Sequence, residues 1–248
     1  MIPAVARIAL APLLLWQGAR VRRAALRLPE AAGPRAGMAG TGELRLRLLI
    51  LGDSSGAGVG AATQDEALAG QLSRALARRL GGRVGWQLLG RTGHRSADAL
   101  AQLSAAAELL PADVLVTALG VNDVTAQVGP RRWLYQLEQI DALARRRAGV
   151  RYTLHSAVPP MHSFPLLPQP LRWLMGAQAQ RLNQALAHAL AARPERGLAA
   201  LPAHLHQGRE ARRLMAPDGF HPNAAGYALW AETLAERLTA EWQRGRIR

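Results

Sequence analysis

The sequence predicts an α/β fold, a three-layer α/β/α sandwich with a central parallel sheet of about five strands. Two observations carry this. Short apolar runs alternate with longer segments whose leucines recur at helical spacing. Strand and helix in strict alternation imply right-handed crossovers, hence parallel strands lying between helical layers. At 248 residues the chain is long enough to bury a full core in one domain.

The elements follow in order. Pro29 to Gly42, rich in proline and glycine without a period, reads as a linker. Arg45 to Leu51 is the first strand, ending in the apolar run Leu48-Leu-Ile-Leu51. Glu66 to Leu80 is a helix, with Leu68, Leu72, Leu76 and Leu80 on one face. Val84 to Leu89 is the second strand, and Ser96 to Leu110 a helix with Ser96 as N-cap. Asp113 to Leu119 is a third strand, almost wholly apolar, followed by a helix over Arg131 to Arg147. Val150 to Val158 is a fourth strand, Leu171 to Ala192 a long helix, Gly197 to Leu201 a short fifth strand, and Asn223 to Arg244 a closing helix.

Composition excludes some functions and leaves others open. There is no cysteine, so disulfides and cysteine-based metal or redox sites are excluded. The formal charge is +14, from 31 basic and 17 acidic residues, and every basic residue is arginine. So positive a surface attracts anionic partners. No nucleic-acid motif accompanies the charge and only 4% of residues are aromatic, so the reading is no nucleic acid.

A membrane surface is the other anionic partner. Ile8 to Trp16 is apolar and is followed by Arg20, Arg22, Arg23 and Arg27. Crossing a bilayer needs roughly 20 apolar residues, more than this run supplies. Its charges follow the apolar run, with no small-residue cleavage site after it, unlike a cleaved signal. Two readings stand: a segment lying in the interface of an anionic leaflet, or a helix docked on the protein's own surface. The trailing arginines favour a cytoplasmic location, membrane-associated in the first reading, with the periplasm as the alternative.

In a parallel sheet, ligands sit beyond the carboxyl ends of the strands. The loops there carry the reactive residues: Asp53 and Ser54 after the first strand, Gly90 to Ser96 after the second, and Gly120-Val-Asn-Asp123 after the third. Asp218-Gly-Phe-His-Pro-Asn223 precedes the last helix. Acyl transfer needs a hydroxyl, a base near neutral pKa, a group orienting that base, and donors for the oxyanion. Ser54 supplies a hydroxyl, His221 a base, and Asp218 an acid three residues before it. Asn122 offers an amide, and Gly93 an N–H unobstructed by a β-carbon.

These blocks resemble those of the SGNH, or GDSL-type, hydrolases: Gly52-Asp53-Ser54, Gly93, Gly120-Val-Asn122-Asp123 and Asp218-Gly-Phe-His221, in that order. The resemblance spans roughly Arg45 to Trp242 and divides the chain into an apolar and basic amino-terminal segment with linker, 1–42, and a hydrolase domain, 43–248. It implies a flavodoxin-like sandwich and a serine esterase or lipase cleaving acyl esters without a cofactor or metal. In it Ser54 is the nucleophile, His221 the base and Asp218 its partner, with an oxyanion hole of Ser54, Gly93 and Asn122. Two blocks depart from the family pattern. Ser55 stands where an aliphatic residue usually follows the nucleophile, and Thr92 and His94 flank Gly93 in place of the usual neighbours, which keeps Gly90 as the alternative.

Other residues have plainer readings. Asp53 and Asp123 fix turns, His94 lies in an exposed loop, and His155 is a satisfied core residue. His204 and His206 form an H-x-H pair without a nearby carboxylate cluster, which argues against metal. Gly56 to Ala61, "GAGVGA", fits a dinucleotide pattern, but the loop before it is too long. The ribose-binding acid is also missing, with Arg91 near its place. Val158 to Met175 is unusually apolar for a loop. It either lines or covers an acyl pocket or packs rigidly on its own domain; with the amino terminus, it favours lipid-like acyl esters over acetylated sugars.

Overall fold

The computed structural model describes residues 4–164, 166–205 and 210–247. Its strands are β1 (Ala36–Ala39), β2 (Leu44–Gly52), β3 (Arg83–Gly90), β4 (Val114–Ala118), β5 (Tyr152–Ser156) and β6 (Arg196–Ala199). They form one six-stranded sheet in the order β1-β3-β2-β4-β5-β6. From β3 to β6 every neighbouring pair is parallel, and β1 alone runs antiparallel, against β3.

The helices are α1 (Ala4–Ala24), α2 (Leu68–Leu80), α3 (Ser96–Ala105), α4 (Val121–Thr125), α5 (Pro130–Ala148), α6 (Leu171–Leu190), α7 (Glu210–Arg213) and α8 (Ala224–Gln243). Alternation along β2 sorts them into layers. Leu46, Leu48 and Ile50 point into one core with α2 and α8, while Leu49 and Leu51 point into the other with α3, α5 and α6. Because both faces are covered, the strand reads as a continuous apolar run. Each fully buried leucine contributes about 1.5–3 kcal/mol.

Local chemistry explains several boundaries. Gly81 ends α2 at φ 62° with its N–H on the Ala77 carbonyl, a left-handed cap. Pro130 opens α5, where its missing N–H costs nothing, and Arg145, Arg146 and Arg147 sit at the negative end of the helix dipole. Asn223 caps α8 by accepting from the Gly226 N–H at 3.0 Å.

Three expectations need correction. The helix expected to reach Leu110 stops at Ala105; Pro111 disfavours helical backbone at Leu110, whose N–H and carbonyl bond the Gln87 side chain instead. Ser96 is the first helical residue rather than the cap, which is Arg95, and its hydroxyl turns to Asp123. The stretch read as a linker contains β1, whose pairing with Val84 to Gln87 covers the edge of β3. Alanine and glycine give β1 no periodic signal; only its neighbour makes it a strand.

The chain leaves β2 toward β3 on one side and returns to β4 on the other, which makes the carboxyl end of β2 the switch point of the sheet. Ser54 lies just past that end.

Candidate active site

Ser54 follows β2 in a turn fixed by Asp53. The Asp53 N–H donates to the Ala118 carbonyl at the end of β4, and its carboxylate accepts from the Ser55 N–H at 3.0 Å. Burial pushes the Asp53 carboxyl up to about 7, against the opposing pull of the Ser55 amide and of His221. It fixes the turn, as expected of it.

His221 arrives from the other end of the chain. Its Nε2 lies 2.8 Å from Ser54 Oγ, across 167 residues of sequence. Its Nδ1 lies 2.6 Å from Asp218 Oδ2, while the N–H groups of Phe220 and His221 donate to Asp218 Oδ1 at 2.9 and 3.0 Å. Burial alone would raise the Asp218 carboxyl; the hydrogen bonds from His221 and Phe220 outweigh it and hold the group below the usual carboxylate range. The hydroxyl on His221 belongs to Ser54, whereas Ser55 spends its N–H on the Asp53 turn and lines the adjoining pocket.

Close approach of backbones makes this meeting possible. Gly60, at φ 98°, lies against the Pro222 carbonyl oxygen, which a β-carbon would strike. Val59 accepts from the Tyr227 hydroxyl at 2.7 Å, tying the serine loop to α8. Within the "GAGVGA" stretch Gly60 serves the contact with the histidine loop, while Gly56 packs against Gly52 and Gly58 against Ala31 and Ala67.

Asn122, in the first turn of α4, donates from Nδ2 to the His94 carbonyl at 2.9 Å. The loop holding Gly93 is therefore bonded to the loop holding Asn122. Gly93 is exposed in a turn at φ 84°, a backbone conformation other residues resist. Gly90 instead ends β3, in register with Gly52, and its carbonyl accepts from Arg35. Asp123 is buried and accepts from the Ser96 N–H and hydroxyl, whose oxygen in turn accepts from Trp133 Nε1 at 3.0 Å. Burial raises the Asp123 carboxyl, opposed by the two Ser96 bonds.

Two residues that sequence reasoning passed over grip the Gly93 loop. Glu30 Oε1 accepts the Thr92 N–H at 2.7 Å, and its other oxygen pairs with Arg35, which also holds the Gly90 carbonyl. Although burial opposes it, the bonds from Thr92 and Arg35 lower the Glu30 carboxyl. Both lie in a proline- and glycine-rich stretch, where no pattern marks them.

An apolar pocket adjoins the serine loop. Asp53 and Ser55, flanking Ser54, form part of its wall with Val121, Phe164, Phe220 and Trp230. The Phe164 ring meets Phe220 edge-on at 4.9 Å, and Phe220 meets His221 likewise at 5.1 Å. The Val158–Met175 stretch thus supplies Pro159 and Phe164 to the pocket wall, while Leu167 and Leu171 enter the core.

His155 lies apart, buried on β5 next to the edge strand β6, with Nδ1 on Thr117 Oγ1 at 2.8 Å and Nε2 accepting from Arg196 at 3.1 Å. Burial, with Arg196 beside it, lowers its pKa to about 3, so the ring is neutral. Of the His204–His206 pair, His206 lies outside the described residues, and among the described residues no three metal-ligating side chains cluster.

Residues 50–229 match the family model described as the GDSL-like lipase/acylhydrolase family. A GDSL-like esterase of Mycobacterium tuberculosis is 30% identical over 193 residues, covering 76% of this chain and 60% of that protein. The chain thus spans about 60% of the length of this curated relative. An esterase, EstA, from a Pseudoalteromonas species superposes with a TM-score of 0.61 at 18% identity, covering 81% of this chain and all of the other. A lipase from a goat rumen metagenome gives 0.60 at 19% identity, covering 79% and 98%. The two structures share the α/β/α fold.

Proposed function

The chain belongs to the GDSL-like lipase/acylhydrolase family, and on that premise we propose that it hydrolyses acyl esters in two steps at Ser54. His221 Nε2 takes the hydroxyl proton as Ser54 Oγ attacks the ester carbonyl, and Asp218 holds the ring in the tautomer that leaves Nε2 free to accept. The oxyanion takes hydrogen bonds from the N–H groups of Ser54 and Gly93 and from the Asn122 amide. Collapse of the intermediate expels the alcohol, which receives its proton from His221, and leaves an acyl-enzyme. Water, deprotonated by the same ring, attacks that ester; the acid departs and the proton returns to Ser54.

The observation that carries this is the Ser54–His221–Asp218 chain, with links of 2.8 and 2.6 Å. Both are within the reach a general base needs before substrate binds. The Asn122–His94 bond supports the oxyanion assignment, because it engages one N–H of the amide and fixes where the second points.

The apolar pocket supports lipid-like acyl esters as substrates in preference to acetylated sugars. Its wall of Val121, Phe164, Phe220 and Trp230 stabilises a hydrocarbon chain, at about 0.8 kcal/mol per buried methylene. Hydrolysis of p-nitrophenyl esters from acetyl to octanoyl tests the reading. kcat/KM rising from acetyl through the intermediate chains is the expected result, with Ser54→Ala inactive throughout. A steady fall from acetyl onward would overturn the substrate class, and an active Ser54→Ala chain would overturn the mechanism.

A further inference from the structure

The first helix carries features that ester chemistry does not use. α1 docks by one face. Gln17 is buried, its Nε2 donating to the Gln169 carbonyl at 2.7 Å and its Oε1 accepting from the Leu171 N–H at 3.2 Å. Leu14 and Val21, three before and four after it, pack against the core of α5 and α6.

Several described side chains of the helix face outward, with a composition unlike a solvated surface. Leu15 is 72% exposed, Trp16 57% and Leu13 40%. Arg20 stacks over the Trp16 ring at 5.5 Å, and Arg22, Arg23 and Arg27 follow, all exposed. Trp173, on the first turn of α6 beside the docking point, is 49% exposed. From Leu13 onward apolar and cationic groups follow one another along the helix axis, leucine and tryptophan first and then an arginine collar, while Arg7 precedes them.

One connection links the docked face of this helix to the pocket beside Ser54. Gln169 lies in the connection from β5 to α6 and Leu171 opens α6; Pro159 and Phe164 of the same connection line the apolar pocket. Phe164 meets Phe220, the neighbour of His221.

We propose that α1 and Trp173 form a docking surface for an anionic lipid bilayer, which brings membrane-borne esters to the pocket beside Ser54. The docking stands on α1 and Trp173; the delivery of esters rests on the hydrolase reading above. A bilayer suits the surface better than a protein groove does. Tryptophan and leucine enter the boundary between headgroups and acyl chains, and arginines just behind them meet anionic headgroups. Among the described residues no helix is long and apolar enough to cross a membrane, so the contact is peripheral.

Sedimentation of the full Ser54→Ala chain with vesicles of phosphatidylglycerol or of phosphatidylcholine tests the docking without any catalysis. The expected result is binding to the first and far less to the second, weakened by salt. Arg22→Gln with Arg23→Gln should weaken binding about 30-fold, at roughly 1 kcal/mol per arginine. Leu15→Ser with Trp16→Ser should abolish it, with thermal melts unchanged. Equal binding to both lipids, or unaltered binding by either double variant, would overturn the proposal. So would a lipid-free dimer that the same substitutions dissociate, since that would assign the surface to a second copy. If the unaltered chain, with Ser54 in place, proves to lack esterase activity while the vesicles still bind, the docking stands and only the delivery role falls.

Discussion

Gly60 lies directly against the Pro222 carbonyl oxygen, one residue beyond His221, with no room for a β-carbon between them. This contact sets how closely the serine loop approaches the histidine loop. Gly60→Ala therefore has to separate the loops or strain the backbone, which at φ 98° costs about 1–3 kcal/mol for a residue other than glycine. Misplacement of a reacting group by about 1 Å costs on the order of 10²-fold in rate. Kinetics on a soluble ester should show kcat reduced at least tenfold in a chain that still melts cooperatively. An unchanged kcat would mean that the loops are positioned by other contacts.

Asn122 is held by its bond to the His94 carbonyl. On the proposed mechanism Asn122→Ala removes one oxyanion donor and should lower kcat roughly 10²–10³-fold with little change in KM. A loss below tenfold would exclude Asn122 from that role.

Glu30 secures the other side of the same loop through Thr92. Glu30→Ala leaves that N–H without its acceptor and Arg35 without its partner. The expected effect is a fall of roughly tenfold in kcat at constant KM, a small positional error by the scale above. Glu30→Gln keeps an oxygen for the Thr92 N–H and should restore most of the rate. Equal damage in both variants would mean that the charge, and not the position of the loop, matters.

The sheet layers and the site blocks were legible in the sequence for different reasons. Helix spacing at Leu68, Leu72 and Leu76 and the apolar run at Leu48 to Leu51 report burial, which is local in pattern even though its cause is tertiary. Ser54 and Asn122 stood out because reactive residues fell where strands end, and Asp218 and His221 because an acid three residues before a histidine precedes the last helix. What stayed hidden depends on partners remote in the chain. β1 exists only because β3 offers an edge, and Glu30 and Arg35 matter only because the Thr92 turn folds onto them. The early end of α3 was signalled by Pro111, outweighed in the reading by the alanines and leucines before it.

Two buried groups off the reaction path make opposing contributions to acid stability. The Asp53 carboxyl, at 3.8 when unperturbed, is raised to about 7 in the folded chain, so its share of stability is present below pH 3.8 and lost as pH rises to about 7. His155, at 6.5 when unperturbed, is lowered to about 3, so its share is present above pH 6.5 and lost as pH falls toward 3. Between pH 4 and 6.5 the two slopes, each about 1.4 kcal/mol per pH unit, cancel. Relative to the unaltered chain, Asp53→Asn should make stability rise more steeply with pH in that window, and His155→Gln should make it fall. Denaturant midpoints at a series of pH values check both signs. A parallel displacement without a change of slope would show that these groups do not titrate as their surroundings imply.

The central claim is that the Ser54 hydroxyl is the group activated by His221. Labelling with a fluorophosphonate probe, followed by mapping of the modified peptide, tests it most directly. The account predicts a single adduct on Ser54, retained in Ser55→Ala and absent from Ser54→Ala and from His221→Ala. A folded chain that takes no label, or one that takes it on Ser55, would contradict it.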